Sequence, residues 1–323
     1  MFDFHIKPIE EKLSSNELYD LLIIGGGPAG LNAALYAKRK GLSVAMIAKE
    51  VGGQLHNTTD VDNYLGFPLI QGSGLSKKFT EHVEKLEVPI LTNSIVTFLE
   101  HDNDIFKVTI DRVDTYRSKT ILLATGGSPR KLNVPGEALF TNRGVSYCTI
   151  CDAPFFKSKH VVVAGGGNSA AEGVLDLIPW ANRITLVHRS EFRADKIILD
   201  KLKDVKNLSI HLNTQILSVE GDVMMKGIRV LDKTSGLERF IEADGMFVEI
   251  GMIPNSQLVR DLVALNATGE VIVNADQSTS LPGLFAAGDI TNQPYKQIVT
   301  SVAQGAVAAL AIDKYLKLLG GTK

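Results

Sequence analysis

A chain of 323 residues that is 45% hydrophobic, 22% charged and only 7% aromatic has the composition of an ordinary globular enzyme, and it is long enough for two domains. Its formal net charge of -2 argues against electrostatic capture of nucleic acid or of an anionic membrane surface, so neither is expected as a partner. The first twenty residues lack the apolar core of a signal peptide, and no apolar run reaches the roughly 18 residues that span a bilayer, which predicts a cytoplasmic protein.

The first predicted elements, after a short polar extension at residues 1–19, are a strand, a tight turn and a helix. A predicted strand, Tyr19-Asp20-Leu21-Leu22-Ile23-Ile24, leads into Gly25-Gly26-Gly27-Pro28-Ala29-Gly30, which has the spacing GxGxxG. In this motif the first glycine makes the turn, the second lets the backbone approach a pyrophosphate, and the third lets the helix pack on the strand. A helix over residues 31–40, capped at Gly41, and a strand over residues 43–47 complete a βαβ unit. The unit predicts a dinucleotide site with Glu50 as the nearest acid for the ribose.

The stretch that follows is predicted to be loop on the ligand side of the sheet. It contains Gly52-Gly53-Gln54-Leu55, a polar run over residues 56–63 and the segment 65–68, and we expect contacts to the bound nucleotide there. The next predicted elements are a helix over residues 74–86, strands near Val96 and over residues 105–110, and a buried strand that ends at Thr125-Gly126-Gly127. Residues 130–137, flanked by prolines, are predicted to cross between domains.

The only two cysteines stand two residues apart in Tyr147-Cys148-Thr149-Ile150-Cys151-Asp152. The thiolate is the nucleophile in disulfide exchange, and the CxxC spacing forms a reversible two-electron switch. A structural disulfide would join distant segments, because the loop-closure entropy that it removes grows with loop length. A closed zinc site would need four Cys or His ligands, and neither a second CxxC nor a histidine cluster accompanies His160. The pair therefore predicts a redox-active dithiol, and no metal site is predicted.

Asp152 directly follows the second cysteine. A carboxyl at this position can carry a proton to and from a leaving thiolate, as a general acid and base. The alternative is that Asp152 caps a turn or the helix that follows.

A second strand, turn and helix occurs at residues 160–177, where Gly165-Gly166-Gly167-Asn168-Ser169-Ala170 has the spacing GxGxxA. The next predicted strand, over residues 183–187, ends in His188-Arg189 with Arg193 four residues further and no acid. An acid there would favour the free ribose hydroxyl of NAD, whereas arginine suits the 2′-phosphate of NADP. The pattern predicts NADPH; the alternative is that the arginines form a solvated charged face.

Two nucleotide turns imply two bound dinucleotides, one a flavin and the other a nicotinamide cofactor. Near the C-terminus a predicted strand over residues 283–287 ends in Gly288-Asp289, and a helix of small residues follows over residues 297–310. Asp289 is placed to hold a hydroxyl-rich ligand chain. Its alternative role is that of a cap or turn acid.

With these motifs in this order, the chain resembles the low-molecular-weight thioredoxin reductases over nearly its whole length. The motifs that carry the resemblance are residues 25–30, 52–55, 124–126, 148–152, 165–170, 188–189 and 288–289, with Gln297. The resemblance implies an α/β protein with two Rossmann-like three-layer nucleotide-binding domains, the second inserted into the first. The FAD-binding domain would be residues 1–127 and 254–323, and the NAD(P)H-binding domain, which carries the CxxC, residues 128–253. A homodimer is implied in the same way.

The resemblance also implies a reaction, in which NADPH reduces FAD, the flavin reduces the disulfide, and the dithiol reduces thioredoxin or a thioredoxin-like dithiol protein. Cys151 would face the flavin and Cys148 would attack the partner, with Asp152 as acid and base. The residues predicted to bind the cofactors are Gly25, Gly27, Pro28, Ala29, Gly30, Glu50, Gly53, Gln54, Leu55, Asn63, Thr125, Gly126, Gly288, Asp289, Gln297 and Ile298 for FAD, and Gly165, Gly167, Asn168, Ser169, Ala170, His188, Arg189 and Arg193 for the nicotinamide nucleotide.

The chain departs from the family at the arginine motif, where Ser190 stands in place of a second arginine and one residue fewer precedes Phe192-Arg193. One lost charge-assisted hydrogen bond costs about 1.5 to 3 kcal/mol, enough to weaken the preference for NADPH. The shorter spacing is similar to that of the flavoprotein of the alkyl hydroperoxide system, which favours NADH. That protein carries an extra N-terminal dithiol domain, for which residues 1–19 are too short.

Three alternatives remain open. A related FAD-dependent disulfide reductase would take electrons from NADH or from another donor, such as ferredoxin, or would serve another dithiol protein. A flavin-binding redox sensor would respond to the cell without turnover, which the intact second turn at residues 165–170 disfavours. A dithiol oxidase that uses oxygen would not need the second nucleotide site.

Overall fold

The structure is a computed structural model that describes residues 13–58, 60–111 and 114–320. The first twelve residues of the predicted polar extension lie outside the described residues. The chain divides into two compact units, unit 1 (Met1–Ser128 and Ile253–Lys323) and unit 2 (Pro129–Met252).

Both units combine strand–helix repeats with runs of consecutive strands. The helices and strands are β1 Leu18–Gly26, α1 Pro28–Arg39, β2 Val44–Val51, β3 Asp60–Val61, β4 Ile70–Gln71, α2 Gly72–Glu84, β5 Ile90–Leu91, β6 Val96–Asp102, β7 Ile105–Ile110, β8 Asp114–Leu123, β9 Gly127–Pro129, β10 Val145–Ser146, α3 Thr149–Asp152, β11 His160–Ala164, α4 Asn168–Leu177, β12 Arg183–Val187, α5 Lys196–Leu202, β13 Leu208–His211, β14 Thr214–Gly221, β15 Met225–Asp232, β16 Glu238–Glu242, β17 Gly245–Val248, β18 Met252–Pro254, β19 Leu284–Ala286 and α6 Ile298–Gly320.

Unit 1 is built on a seven-stranded sheet in the order β5-β2-β1-β8-β7-β6, with β19 also paired to β8. The strands β5, β2, β1, β8 and β19 run parallel, whereas β7 and β6 are antiparallel. Along β1, Leu21 and Ile23 enter one core cluster, and Leu22 and Ile24 enter the other. Burial on both faces explains why residues Leu21 to Ile24 of this strand are all apolar, without alternation.

The helices α1 and α6 cover the same face of this sheet and pack closely on each other. Asn32 donates its side-chain amide to the carbonyl of Val302 at 2.7 Å. A Cβ built on Gly305 would overlap the carbonyl oxygen of Ala29, which is backbone and cannot turn away. Only glycine at this position of α6 lets the two helices approach this closely.

Gly305→Ala is therefore expected to destabilise unit 1 by about 1 to 3 kcal/mol, the usual cost of overpacking a close contact. Gly320→Ala is the matched control, because a Cβ at this other α6 glycine meets open space. Thermal unfolding followed by circular dichroism would measure both variants. Equal midpoints for Gly305→Ala and the parent chain would contradict the prediction.

Three predicted elements of unit 1 differ from the structure. The second strand does not end at residue 47 but continues to Val51, because the chain pairs again with Gly26 after a register shift, so Glu50 lies inside β2. The segment predicted as loop contains a 3-10 turn, Gly53–Asn57, and the short antiparallel pair β3–β4. The final helix continues past its predicted end at residue 310, to Gly320, and Asp313 in this extension is paired with Lys40 and Lys317.

Unit 2 has a five-stranded parallel sheet in the order β10-β17-β11-β12-β13 and a three-stranded antiparallel sheet, β14-β15-β16. Residues Val161 and Val163 of β11 pack with α4 on one face. The alternate residues Val162 and Ala164 pack with β14 and β15 on the other. The layers are thus helix, parallel sheet and antiparallel sheet.

The predicted fold class, α/β with two Rossmann-like three-layer units, is confirmed. Within the described ranges, no helix combines the length and the apolar character that crossing a membrane requires.

Candidate active site

The two cysteines of unit 2 are joined in a disulfide, Cys148–Cys151. Cys148 follows β10 and is the N-cap of the short helix α3, and its sulfur accepts a hydrogen bond from the backbone N–H of Cys151 at 3.2 Å. Both residues are partly exposed. An N–H that already points at the Cys148 sulfur favours a thiolate there once the disulfide opens.

Asp152 is tied to the start of its own motif through Ser146. The Ser146 hydroxyl donates to Asp152 Oδ2 at 2.5 Å and accepts from the backbone N–H of Cys148 at 3.1 Å. Asp152 closes α3, and its side chain does not cap the 3-10 turn that follows, so the capping role considered from the sequence is not the one observed. Ser146 was missed by sequence reasoning, since a serine two residues before a cysteine carries no signal of its own.

The residue before Cys148 is anchored by a buried carboxylate. Glu137 is only 2% exposed, and it accepts hydrogen bonds from the backbone N–H groups of Leu132 and Asn133 and from the hydroxyl of Tyr147. Burial is the main cause that raises the pKa of Tyr147, so its hydroxyl remains a donor at neutral pH. Residues 130–137, which were predicted to cross between domains, thereby hold the dithiol segment within unit 2.

The second glycine turn of unit 2 leads from β11 into α4. Gly167 is the N-cap of α4, and a Cβ built on it would meet no atom within 4 Å, so the space above it is open to a ligand. The Asn168 side-chain amide donates to Asp195 Oδ2 and accepts from the Asp195 backbone N–H, both at 2.8 Å, and these two hydrogen bonds hold the first residue of α4 to the segment before α5. Ser169 and Ala170 occupy the first turn of α4. An open glycine at a helix N-terminus fits a pyrophosphate.

A basic rim lies beyond the end of β12. Arg189 and Arg193 are both exposed, and the main chain of Arg193 donates to the carbonyl of Gly166 at 2.7 Å. Lys233, in the hairpin after β15, donates its ammonium to the carbonyl of Arg189 at 3.2 Å. This lysine stands 44 residues from Arg189, and sequence reasoning missed it.

His188 lies beneath the rim, against the glycine turn. Its ring occupies the space that a Cβ on Gly166 would need, and its Nε2 is 3.2 Å from the hydroxyl of Ser190. Burial, followed by the charges of Arg193 and Arg189, lowers the pKa of His188. His188 is therefore neutral at pH 7, and the cations of this region are the two arginines and Lys233.

The glycine turn of unit 1 connects β1 to α1. Gly25 has a φ of +115°, and a Cβ there would overlap the carbonyl oxygen of Ala124, so a side chain is excluded on both counts. A Cβ on Gly27 would meet nothing within 4 Å. Pro28 opens α1 at its first position, where no N–H is needed, and Ala29 and Gly30 are buried behind it. This turn also leaves open space at a helix N-terminus.

Both ends of unit 1 contribute to the region around this turn. Gln54 donates to the carbonyl of Gly127 at 2.8 Å and to Asp289 Oδ2 at 3.3 Å, and Asn63 donates to Gln297 Oε1 at 3.3 Å. Gln54 and Asp289 are 235 residues apart in sequence, and Asn63 and Gln297 are 234 apart. The structure therefore brings together predicted site residues that the sequence separates almost completely.

Asp289 lies after the end of β19 in a polar environment. It accepts from Ser301 Oγ at 3.2 Å, and Gln304 accepts from the backbone N–H of Gly288 at 2.8 Å. Burial raises the pKa of Asp289. Ser301 and Gln304 were not predicted, because serine and glutamine in a helix of small residues have no distinctive pattern.

The remaining predicted residues of unit 1 take different positions. Thr125 donates to the carbonyl of Asn255, and a Cβ on the adjacent Gly126 would face open space. Leu55 is buried in a small core cluster, and Ile298 is the first residue of α6. Glu50 is exposed, and its carboxylate is 3.9 Å from His56 Nε2. Open space at Gly27 and Gly126, with Asp289 in the same unit, fits an extended dinucleotide such as FAD.

Comparisons with known proteins place these motifs in a family. The model of the family described as pyridine nucleotide-disulphide oxidoreductase matches residues 19–305. The alkyl hydroperoxide reductase subunit designated F, of Staphylococcus aureus, is 39% identical over 306 residues, which are 94% of this chain and 60% of that protein. The chain thus spans less than two thirds of the length of this relative.

Solved structures give a second similarity. Thioredoxin reductase from Streptococcus pyogenes aligns with a TM-score of 0.89 and 37% identity, covering 94% of this chain and 100% of the other. A ferredoxin-flavin thioredoxin reductase from Clostridium acetobutylicum aligns with a TM-score of 0.51 and 30% identity, covering 93% and 98%.

Proposed function

The chain belongs to the pyridine nucleotide-disulphide oxidoreductases, and on that premise we propose that it is a thioredoxin reductase, which passes electrons from NADPH through FAD and the Cys148–Cys151 pair to the disulfide of thioredoxin. The observation that carries the proposal is the disulfide itself, whose first sulfur accepts an N–H bond and whose neighbouring Asp152 is held by Ser146. The full coverage of the Streptococcus pyogenes thioredoxin reductase supports it. We assign FAD to unit 1 and the nicotinamide nucleotide to unit 2.

The cofactor contacts in this proposal follow from the open space at the glycine turns. Gly27 and Gly126 would leave room for bound FAD, and Asp289 would accept hydrogen bonds from its hydroxyl groups. Gly167 would leave room for the pyrophosphate of NADPH at the N-terminus of α4. Bound FAD supplies a two-electron carrier between the nucleotide and the disulfide.

The dithiol then does the chemistry on the partner protein. The Cys148 thiolate attacks one sulfur of the partner disulfide, forming a mixed disulfide, and the second partner sulfur leaves as a thiolate that takes a proton from Asp152. The ionised Asp152 then takes the proton of the Cys151 thiol, and the Cys151 thiolate attacks the Cys148 sulfur, which restores the Cys148–Cys151 disulfide and releases the first partner sulfur as a thiolate. The partner disulfide gains two electrons, and the enzyme pair loses two.

The preference for NADPH rests on the basic rim. Arg189 and Arg193 follow β12, where the ribose phosphate of NADP would bind, and the Lys233 ammonium contacts the carbonyl of Arg189. Lys233 would thus add a cation beside a segment in which Ser190 replaces the family's second arginine. Losing one charge-assisted contact costs about 1.5 to 3 kcal/mol, or roughly 10- to 100-fold in affinity.

We therefore expect Lys233→Met to weaken NADPH binding roughly 10- to 100-fold while leaving NADH binding unchanged. Anaerobic stopped-flow mixing of the yellow protein with each nucleotide, followed by flavin bleaching, measures both affinities. Lys226→Met, which removes an exposed lysine of β15 paired with Asp222, is the control. Faster bleaching of the parent protein by NADH would overturn the NADPH assignment.

A second candidate function has a specific observation in its favour. Ser190 hydrogen-bonds His188 and adds no charge to the rim, and the 39% identical relative belongs to an alkyl hydroperoxide reductase. A disulfide reductase that uses NADH and serves the dithiol protein of a hydroperoxide-reducing system fits both facts. Bleaching by neither nucleotide, with bleaching by dithionite, would instead indicate another donor such as ferredoxin.

The proposal extends to the assembly and the location of the enzyme. A homodimer is expected from the similarity to thioredoxin reductases, and sedimentation equilibrium would test it. A dithiol that must return to its reduced form fits a reducing compartment, so we place the enzyme in the cytoplasm.

A further inference from the structure

A half-buried acid, Glu249, contacts the dithiol segment and has no role in the reaction described above. Glu249 follows β17, and its Oε1 accepts the backbone N–H of Thr149 at 3.2 Å. Thr149 is itself buried and is one of the two residues between the cysteines. The Glu249 carboxylate thus binds the main chain between the two cysteines of the disulfide.

The backbone of Glu249 is held as firmly as its side chain. Its N–H donates to the carbonyl of Ala164 at 2.8 Å, at the end of β11. A Cβ on Gly165, the first glycine of the nucleotide turn, would overlap the Glu249 carbonyl oxygen. One residue therefore contacts the nucleotide turn through its main chain and the dithiol helix through its carboxylate.

Helix α4 packs against the same place and leaves room for this contact. Gly173 faces Thr149, and a Cβ there would lie 3.0 Å from Thr149 Cγ2 and 3.5 Å from Glu249 Cγ. On the same helix, Asp176 Oδ2 accepts from the Thr149 hydroxyl at 3.5 Å. A larger residue at position 173 would push Thr149 away from Glu249.

The charged side chains near Glu249, on the elements that pack against it, are carboxylates. Helix α4 contributes Asp176 and Glu172, α3 contributes Thr149, which directly follows Cys148, and β11 contributes the carbonyl of Ala164. The pKa of Glu249 is raised to about 7: burial is the main cause, the hydrogen bonds from Thr149 act in the opposite direction, and the charges of Asp176 and Glu172 add to the increase. Glu249 therefore changes charge near neutral pH.

We propose that Glu249 is a positioning residue of the dithiol, which holds the chain between Cys148 and Cys151 and takes up a proton from solvent when the disulfide is reduced. The inference rests on the proposed redox cycle of the pair, but not on the identity of the electron donor or of the protein acceptor.

Reduction of the pair changes the charge beside Glu249. Two electrons and one proton open the Cys148–Cys151 bond to one thiolate and one thiol. The new negative charge beside Thr149 disfavours a second negative charge on Glu249, so its carboxylate binds one proton from water. Reoxidation removes the thiolate and releases that proton.

The consequence is a pH dependence with a definite sign. At low pH Glu249 is protonated in both redox states and has no effect on the equilibrium. Above a pH of about 7 it is ionised in the oxidised enzyme but protonated in the reduced one, so each further unit of pH disfavours reduction by an extra factor of up to about ten. For this two-electron couple, a factor of ten corresponds to about 29.6 mV.

The test is the redox equilibrium of the holoenzyme in dithiothreitol buffers from about pH 5.5 to 8.5, a range that brackets the titration. The chain has only two cysteines, so the mass added by alkylation reports the reduced fraction of this pair alone. Glu249→Gln keeps an acceptor for the Thr149 N–H but cannot ionise. Glu242→Gln, at an exposed glutamate of β16, is the matched control.

We expect Glu249→Gln and the parent to have the same reduction equilibrium at about pH 6, and the variant to be about tenfold more easily reduced at about pH 8. The control should follow the parent throughout. Asp176→Asn removes a charge that raises the pKa of Glu249, so in this variant the extra pH dependence of reduction should begin at a lower pH than in the parent. This variant replaces Glu249→Gln in the test if the glutamine variant folds poorly.

A ratio between Glu249→Gln and the parent that is constant with pH would mean a merely structural role, and a ratio of one throughout would mean no role; either result overturns the proposal. Failure of the proposed function is a separate outcome. A pair that titrates in dithiothreitol but accepts no electrons from either nucleotide would count against the nucleotide assignment while leaving the pH comparison intact.

Discussion

Cys148→Ser is expected to abolish the reduction of thioredoxin, while flavin bleaching by NADPH continues at its normal rate. The Cys148 sulfur accepts the Cys151 N–H and lies at the N-cap of α3, so the variant loses the sulfur best placed to attack a partner. Electron entry depends on the glycine turns of the two units, which the substitution does not touch. Coupled thioredoxin turnover and stopped-flow bleaching on the same preparation measure the two halves separately.

Cys151→Ser provides the matched comparison, because it removes the other sulfur of the same disulfide. This variant should still attack the partner through Cys148 but cannot resolve the product, so a covalent mixed disulfide accumulates and is visible on a non-reducing gel. Cys148→Ser should form none. Normal thioredoxin reduction by Cys148→Ser, or a mixed disulfide formed through Cys151, would refute the assignment of roles.

Asp152→Asn is expected to slow turnover by about 10²-fold or more, the usual contribution of a general acid or base. The amide keeps the size of the side chain and can still bond the Ser146 hydroxyl, but it cannot give a proton to the leaving thiolate. The loss should appear in kcat for thioredoxin, with flavin bleaching by NADPH unchanged.

Two companion variants separate chemistry from structure at Asp152. Ser146→Ala removes the hydroxyl that bridges Asp152 and the Cys148 N–H, and it should cause a smaller loss than Asp152→Asn because the carboxyl remains. Asp222→Asn, at an exposed aspartate of unit 2, should have no effect. If Asp152→Asn turned over at the parent rate, Asp152 would be a structural residue only.

Much of the fold class and of the candidate site could be predicted from the sequence, because the motifs that define them are short and local. The glycine turns at residues 25–30 and 165–170 depend on neighbours within one strand–helix unit, and the β1 strand is continuously apolar from Leu21 to Ile24 because that part is buried on both faces. Two cysteines at CxxC spacing can bond whatever the rest of the chain does. The α/β class and the redox pair therefore followed from short segments.

The ends of helices and strands were predicted less accurately, because they depend on pairing and ionic partners in other segments of the chain. The extension of β2 to Val51 follows from renewed pairing with Gly26, and the extension of α6 to Gly320 includes an ionic contact between Asp313 and Lys40 of another segment. No pattern within residues 43–51 or 297–320 records those partners.

The fold class and the disulfide chemistry could be predicted from the sequence alone, since both depend on motifs whose residues are close together in the chain. Which side chains act together was settled only when the chain folded. Gln54 meets Asp289, Lys233 meets the carbonyl of Arg189, and Glu249 meets Thr149 where strand order brings distant segments side by side. Hydrogen-bond partners and pKa values depend on that proximity and on burial, and neither quantity exists until the sheets are assembled.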